Sequence, residues 1–221
     1  MIRRNTSATR VMVSTIGALM GLAGIEHGIG EILQGNIAPK GIMILSWPES
    51  AFFRIVAGEP AMTVVPNLLV TGNLAMLFSL IFLVWATVFV QRKNGGLILI
   101  FLSIVMLVVG GGFGPPLVGI IIGAAGTRIG APLTWWRGHL SVGSRRFLGK
   151  LWPWSFIACV IAWLFLFPGS ALLGYFFGVD NPNLVPILFF FALGFLLLTI
   201  VAGFAHDLQR QSDSLQTPLG E

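Results

Sequence analysis

The sequence is poor in charged residues and contains a single cysteine, and each scarcity excludes a class of protein. Charged residues make up only 10% of the 221 residues, against about 25% in ordinary soluble domains. A soluble domain is therefore excluded. Cys159 stands alone, which rules out an internal disulfide and any cysteine-based metal site. The strings G-x-S-x-G and H-E-x-x-H are also missing, so polytopic hydrolases have no support and no motif strongly implies a cofactor.

What the chain does contain is apolar sequence, 56% of all residues, arranged in runs of about 20 that match the thickness of a bilayer. The pattern predicts an all-α, polytopic transmembrane helical bundle that forms a single membrane domain over 1–221. The predicted spans are 11–33, 67–90, 97–113, 116–131, 151–177 and 184–205. Two segments that mix aromatic and charged residues are predicted to lie at the interfaces, a short helix near 47–59 outside and a stretch near 133–150 inside.

A glycine- and proline-rich string at 110–116 decides between five spans and six. Either one long helix breaks there, or two helices form a hairpin whose turn contains Gly112, Gly114, Pro115 and Pro116. With the hairpin, 11 of the 13 Arg and Lys residues, Arg3 and Arg4 among them, share one side of the membrane. With the broken single helix and the N-terminus in the cytoplasm, only 5 lie on the cytoplasmic side. The positive-inside rule therefore favours six spans with both termini in the cytoplasm.

The same rule accounts for the net charge of +5 without nucleic acid, since the basic residues cluster at the ends of the apolar runs. It predicts a multi-pass protein of the cell (plasma or inner) membrane. The basic interfacial stretch 133–150 is expected to meet anionic lipid headgroups at the cytoplasmic face.

Glycines recur at spacings of 4, 3 and 4 in the first and the fourth predicted spans, so each set forms a stripe along one helix face. Such stripes let another backbone approach closely. We expect the two helices that carry these stripes to pack against each other, or each to be a hub for close packing against other helices. The two sets are Gly17, Gly21, Gly24 and Gly28, and Gly119, Gly123, Gly126 and Gly130.

Glu26, His27 and Glu31 lie towards the outer end of the first span. Glu26 is roughly 22 Å along the helix from its start, in the outer third of a ~30 Å hydrocarbon core. Ionisable groups at this depth are costly to bury and therefore indicate a functional site. His27 and Glu31 share a helix face. Three interpretations remain: a metal or organic-cation site held by His27 and Glu31, a proton relay, or polar groups satisfied by partners such as Arg54 or Asn73.

The leading functional hypothesis is a small transporter or permease for an ion or a small cationic solute, with Glu26, His27, Glu31 and Asn73 as candidate ligand residues. One alternative is an accessory or structural subunit that packs on a membrane-protein partner, or on a second copy of itself, through its glycine faces. The other is an intramembrane metal-dependent enzyme. A cavity that reaches the acidic cluster would favour transport, and an exposed glycine stripe would favour the subunit.

Overall fold

The computed structural model describes residues 7–181 and 183–216, which are mostly helical. Arg3 and Arg4 lie outside the described residues. A two-stranded sheet, β1 (Met43–Leu45) with β2 (Pro60–Met62), and a 3-10 turn at Arg54–Val56 lie between the first two helices. The eight α-helices among the described residues are α1 (Ala8–Leu33), α2 (Leu68–Val84), α3 (Gly95–Val108), α4 (Gly114–Gly126), α5 (Thr134–His139), α6 (Val142–Leu164), α7 (Ser170–Phe177) and α8 (Leu184–Gln216).

Four helical stretches are long and apolar enough to cross a membrane, which is compatible with an integral membrane protein. π-helical turns extend two of them, joining α6 to α7 and lengthening α2. The four stretches are Ala8–Leu33, Leu68–Phe89, Val142–Phe177 and Leu184–Ser212. Helices α3 and α4 are apolar but have only 14 and 13 residues, about 20 Å of helix each. Six crossings and the cytoplasmic placement of both termini stay predictions.

The glycine- and proline-rich string does divide its apolar run into two helices. Helix α3 ends at Val108, and α4 begins at Gly114 with prolines in its first turn, where the missing N–H costs nothing. Gly110 and Gly112 lie between them with φ of 96° and 80°, a conformation that favours glycine. The two helices pack antiparallel, so they form the predicted hairpin.

The glycine stripe of α1 packs against α2 and not against the stripe of α4. A Cβ at Gly21 would overlap with Leu83 of α2, and Gly28 faces Gly72 of α2 so closely that neither position has room for a side chain. Helices α1 and α4 themselves are in contact, and Gly17 of α1 lies near Ile122 of α4, but the α1 stripe makes its tightest contacts with α2.

The stripe of α4 packs against α3 in the same way, with Gly123 against Gly96 and Ile100. Gly130 does not belong to a packed face, since it follows the helix with φ of 75° and has no atom near its Cβ position. The glycine faces thus bring together the helices of each hairpin, α1 with α2 and α3 with α4. Large buried side chains fill the core between the helices. The fully buried ones include Met12, Ile16, Met20, Phe82, Ile122, Trp163 and Leu196.

The connection between α1 and α2 is a small β-hairpin where the sequence predicted a short interfacial helix at 47–59. Strand pairing runs Met43 to Met62 through Leu45 to Pro60, and backbone hydrogen bonds continue it to Ser46 and Glu59. Only the 3-10 turn at Arg54–Val56 is helical in this connection, and it docks on α7, where Ile55 contacts Gly174. The connection therefore folds back over the end of the bundle.

Candidate functional site

The string E-H-G-I-G-E, residues 26–31, lies in the last two turns of α1, and its residues face different neighbours. Gly28 faces α2, and Gly30 faces the backbone of Ser46 and the ring of Trp47, where a Cβ would overlap with both. His27 and Glu31 are buried on the same face, one turn apart. The two glycines thus bring α2 and the β-hairpin close enough to enclose the ionisable side chains between them.

The β-hairpin places two further polar side chains beside α1. Ser46 donates its N–H to the carbonyl of Glu59 at 3.0 Å, so the two residues lie opposite each other just beyond the named strands. Successive side chains of a strand point to opposite faces, and the inward face here is buried. It carries Ile44, Ser46, Glu59, Ala61 and Thr63.

The break between α3 and α4 completes the enclosure. Val64 donates its N–H to the carbonyl of Val108 at 3.0 Å, which fastens the hairpin to the end of α3. Gly110 lies directly against the carboxylate of Glu31, and Gly112 lies directly against the imidazole of His27. A Cβ at either glycine would overlap with the side chain beside it. The two strings that the sequence singles out separately therefore meet at one site.

Ser46 connects the two residues that α1 presents on one face. The hydroxyl of Ser46 lies 2.9 Å from Nδ1 of His27 and donates to Oε1 of Glu31 at 3.4 Å. Because a hydroxyl has one proton to donate, this arrangement makes Nδ1 of His27 the donor to Ser46. Nε2 of His27 then carries a free lone pair.

That lone pair points towards a second acid. Nε2 of His27 lies 3.4 Å from Oε2 of Glu59, and Glu26 lies beside Glu59 and Trp47. One donor atom from each of Glu26, His27 and Glu59 falls within 4.8 Å of the other two, a spacing that can hold a metal ion. An imidazole with two carboxylates is a donor set that suits Zn²⁺ and related divalent cations.

Glu59 is the site residue that lies in the connection and not in a span. Burial, together with the neighbouring Glu26 carboxyl group, raises the pKa of Glu59 to about 10. At neutral pH the carboxyl of Glu59 therefore keeps its proton, which it can share with Glu26. A cation bound here would take the place of that proton.

The three acids of this site leave buried oxygens without partners. Oε1 of Glu26, Oε2 of Glu31 and Oε2 of Glu59 are enclosed, and each lacks a hydrogen-bond donor among the described residues. Glu31 is fully buried and Glu59 is 9% exposed. Unpartnered buried oxygens are rare in native proteins and point to a bound ion, water or proton.

Two cavities reach the site from different sides of Glu59. The Glu26 cavity, about 300 Å³, contains Glu26 and Glu59 and is otherwise mostly apolar, with Phe52, Phe53 and Phe167 in its wall. The His27 cavity, about 200 Å³, contains His27 and Glu59 and runs past the start of α4. Glu59 and Phe167 line both cavities.

Asn73 is not at this site, although the sequence made it a candidate ligand. Its side chain is exposed on α2 and donates to the carbonyl of Leu69 at 2.7 Å. Arg54, a suggested partner for the acids, is exposed as well. The contacts they were expected to supply come from Ser46 and Glu59.

Sequence reasoning assigned no role at the site to Glu59 or to Ser46. Glu59, Ala61 and Thr63 occupy alternate positions, which in a strand lie on one face. This spacing is the signal that could have revealed the inward face of the hairpin. That signal is weak because only three residues form each strand.

Comparison with protein-family models, with curated proteins and with solved structures finds no match for this chain. Its function has to be argued from the geometry of the site.

Proposed function

We propose that this protein is a small membrane transporter that binds a divalent metal cation between Glu26, His27 and Glu59. The observation that carries the proposal is the position of Nε2 of His27, 3.4 Å from a carboxylate oxygen of Glu59, within a group of three acids that each have one buried oxygen without a partner. Buried charges of one sign are stable only when they are neutralised by protons or by a cation. Glu31, held by Ser46, is a further carboxyl group beside the proposed site.

The geometry needs little adjustment for Zn²⁺ or Mn²⁺. Donor atoms around a tetrahedral Zn²⁺ are about 3.4 Å apart, which is the separation already present between His27 and Glu59. The third donor lies within 4.8 Å and needs a shift of about an ångström. Ser46 would be the outer partner that orients the imidazole, as is usual for metal-bound histidines.

Passage across the membrane is supported by where the site lies. It is enclosed by the end of a membrane-length helix and by the irregular backbone between α3 and α4. Such backbone is tolerated at membrane depth only when it is buried or lines a wet cavity. Two cavities meet at Glu59, so a cation has an approach from either side of that side chain. In the proposed topology of six crossings, with both termini in the cytoplasm, the site faces outwards.

A second candidate, an intramembrane metal-dependent enzyme, is favoured by the lining of the Glu26 cavity. Apart from Glu26 and Glu59, that cavity is lined mainly by apolar side chains, which suits a lipophilic substrate better than a hydrated ion. The accessory-subunit alternative loses its main support, because the glycines of α1 are covered by α2 and are not an exposed stripe.

The test starts with the metal content of purified protein after equilibration with Zn²⁺ or Mn²⁺. The wild type should bind one ion, and His27→Ala and Glu59→Gln should each lose it. Glu49→Gln is the matched control, because Glu49 is an exposed acid in the same connection. Equal metal content in all four proteins would refute the cation site.

Liposomes that contain the protein and a metal-sensitive dye then separate the two candidates. A transporter should carry the ion inwards at a rate that falls in Glu59→Gln and not in Glu49→Gln. Stoichiometric binding with no uptake would refute transport and leave the enzyme.

A further inference from the structure

The opposite end of the bundle contains a second polar feature, a basic groove between α6 and α8. Arg145, Arg146 and Lys150 of α6 line it together with Gln209 and Ser212 of α8, and its volume is about 550 Å³. None of the described side chains that line it is acidic. If the charge of Asp213, the residue after Ser212 in the sequence, is counted against Arg145, Arg146 and Lys150, an excess of two positive charges remains.

We propose that this groove binds the phosphate group of an anionic phospholipid. Nε of Arg145 is enclosed and has no acceptor among the described residues, although an arginine N–H in such a place normally has one. Gly149 allows α8 to approach, because a Cβ there would lie against the side chain of Gln209. The groove is thus a cleft between two packed helices with one unused donor inside it. Guanidinium and ammonium groups are the side chains that proteins use for phosphate.

The surface next to the groove indicates that the phosphate belongs to a lipid. Arg146 and Lys150 begin a row on one face of α6 at spacings of 4, 4, 3 and 4, which all fall within about 80° of the helix circumference. The row continues into exposed apolar side chains, Trp154 at 72%, Ile157 at 50% and Ile161 at 59% exposed. Cations, then an indole, then aliphatic groups match the headgroup, interface and acyl chain of a phospholipid. Free phosphate would leave the apolar part of the row without a role.

Native mass spectrometry of the full-length protein in detergent can count bound lipids. The probes are a phosphatidylglycerol, a phosphatidylcholine with the same chains, and inorganic phosphate. The wild type should retain one phosphatidylglycerol in preference to phosphatidylcholine. The double variant R146Q/K150Q should bind it about 30-fold more weakly, since each basic residue near an anionic surface contributes about a fivefold factor.

R92Q/K93Q is the matched control, because it removes the same charge from two exposed residues in the turn between α2 and α3. Its phosphatidylglycerol affinity should stay unchanged, and R146K/K150R should restore most of the affinity lost in R146Q/K150Q. An equal loss in R146Q/K150Q and R92Q/K93Q, or no loss in R146Q/K150Q, would overturn the proposal.

Inorganic phosphate and the apolar row test the source of the phosphate group. W154A/I157A should weaken phosphatidylglycerol binding, while millimolar inorganic phosphate should compete only poorly. If phosphate displaces the lipid efficiently and W154A/I157A has no effect, the groove is a site for soluble phosphate and the lipid assignment is wrong.

Discussion

Nε2 of His27, in a membrane-length helix, lies 3.4 Å from Oε2 of Glu59, at the edge of a two-stranded hairpin. The contact exists because Gly30 lets the hairpin reach α1 and because Gly112 leaves room for the imidazole. A histidine, three acids and a serine are thereby assembled from α1 and from the connection that follows it.

The proton on Glu59 should make the thermal stability of the metal-free protein depend on pH. The pKa of Glu59 is about 10 in the folded protein, against 4.5 for a glutamate in the unfolded chain. Because the folded state binds this proton more tightly, the associated stability is fully present below pH 4.5 and is lost as the pH rises towards 10. The loss is at most about 1.4 kcal/mol per pH unit.

Glu59→Gln lacks this proton and should therefore gain in Tm relative to the wild type as the pH increases. Melting curves in detergent with a chelator, recorded from about pH 5 to about pH 9, measure the difference between the two proteins. Glu49→Gln should follow the wild type. A Tm difference between Glu59→Gln and the wild type that does not change with pH would contradict the buried proton.

Gly112→Ala should abolish cation binding and lower the stability of the protein. The new methyl group would overlap with the imidazole of His27, and the positive φ of 80° adds strain, together about 2 to 4 kcal/mol. Gly35→Ala separates the two effects, because Gly35 has φ of 88° and nothing near its Cβ position. Gly35→Ala should cost about 1 to 2 kcal/mol and leave metal content unchanged. Equal metal content in both variants would show that Gly112 does not position His27.

Gly21→Ala should destabilise the pairing of α1 with α2. Its Cβ would lie 2.6 Å from Cβ of Leu83 and 3.1 Å from the backbone oxygen of Ser79, and neither atom can move without shifting a helix. The expected cost is about 1 to 3 kcal/mol, seen as a lower Tm. Gly194→Ala, in open space on α8, should leave Tm unchanged or raise it. If both variants keep the wild-type Tm, the close approach of α1 and α2 is not required.

Asp207→Asn should loosen the N-terminus of α1 from α8. The carboxylate of Asp207 accepts hydrogen bonds from the N–H groups of Ala8 and Thr9, at 2.7 and 3.1 Å, and from the Thr9 hydroxyl at 2.7 Å. A buried anion at a helix N-terminus contributes about 1 to 2 kcal/mol. The variant should show a lower Tm and faster hydrogen exchange in the first turn of α1. Asp180→Asn, which alters an exposed acid, should change neither.

The sequence predicted the helical segments well because each depends on a local property, a long apolar run. Predicted spans at 11–33 and 67–90 agree closely with Ala8–Leu33 and Leu68–Phe89. The break near Gly112 was predictable for the same reason, since glycine and proline act on their own backbone. Helices α1 and α4 are in contact, but their glycine stripes make their closest contacts with α2 and α3, because a glycine face specifies that a neighbour can come close and not which one.

By itself, the sequence determined that this chain is mostly helical with apolar stretches long enough to cross a membrane, and that its apolar run between 95 and 126 breaks near Gly112. It also marked Glu26, His27 and Glu31 as costly to bury. Only the tertiary structure decided what surrounds them. Glu59 lies next to His27, and Gly112 leaves room for the imidazole of His27. Both contacts join residues that are distant in the chain. Such pairings leave no local pattern, because they depend on how the hairpin and the α3–α4 break pack on the end of α1. The acids that the sequence marked therefore became a candidate cation site only when the fold supplied the remaining donor.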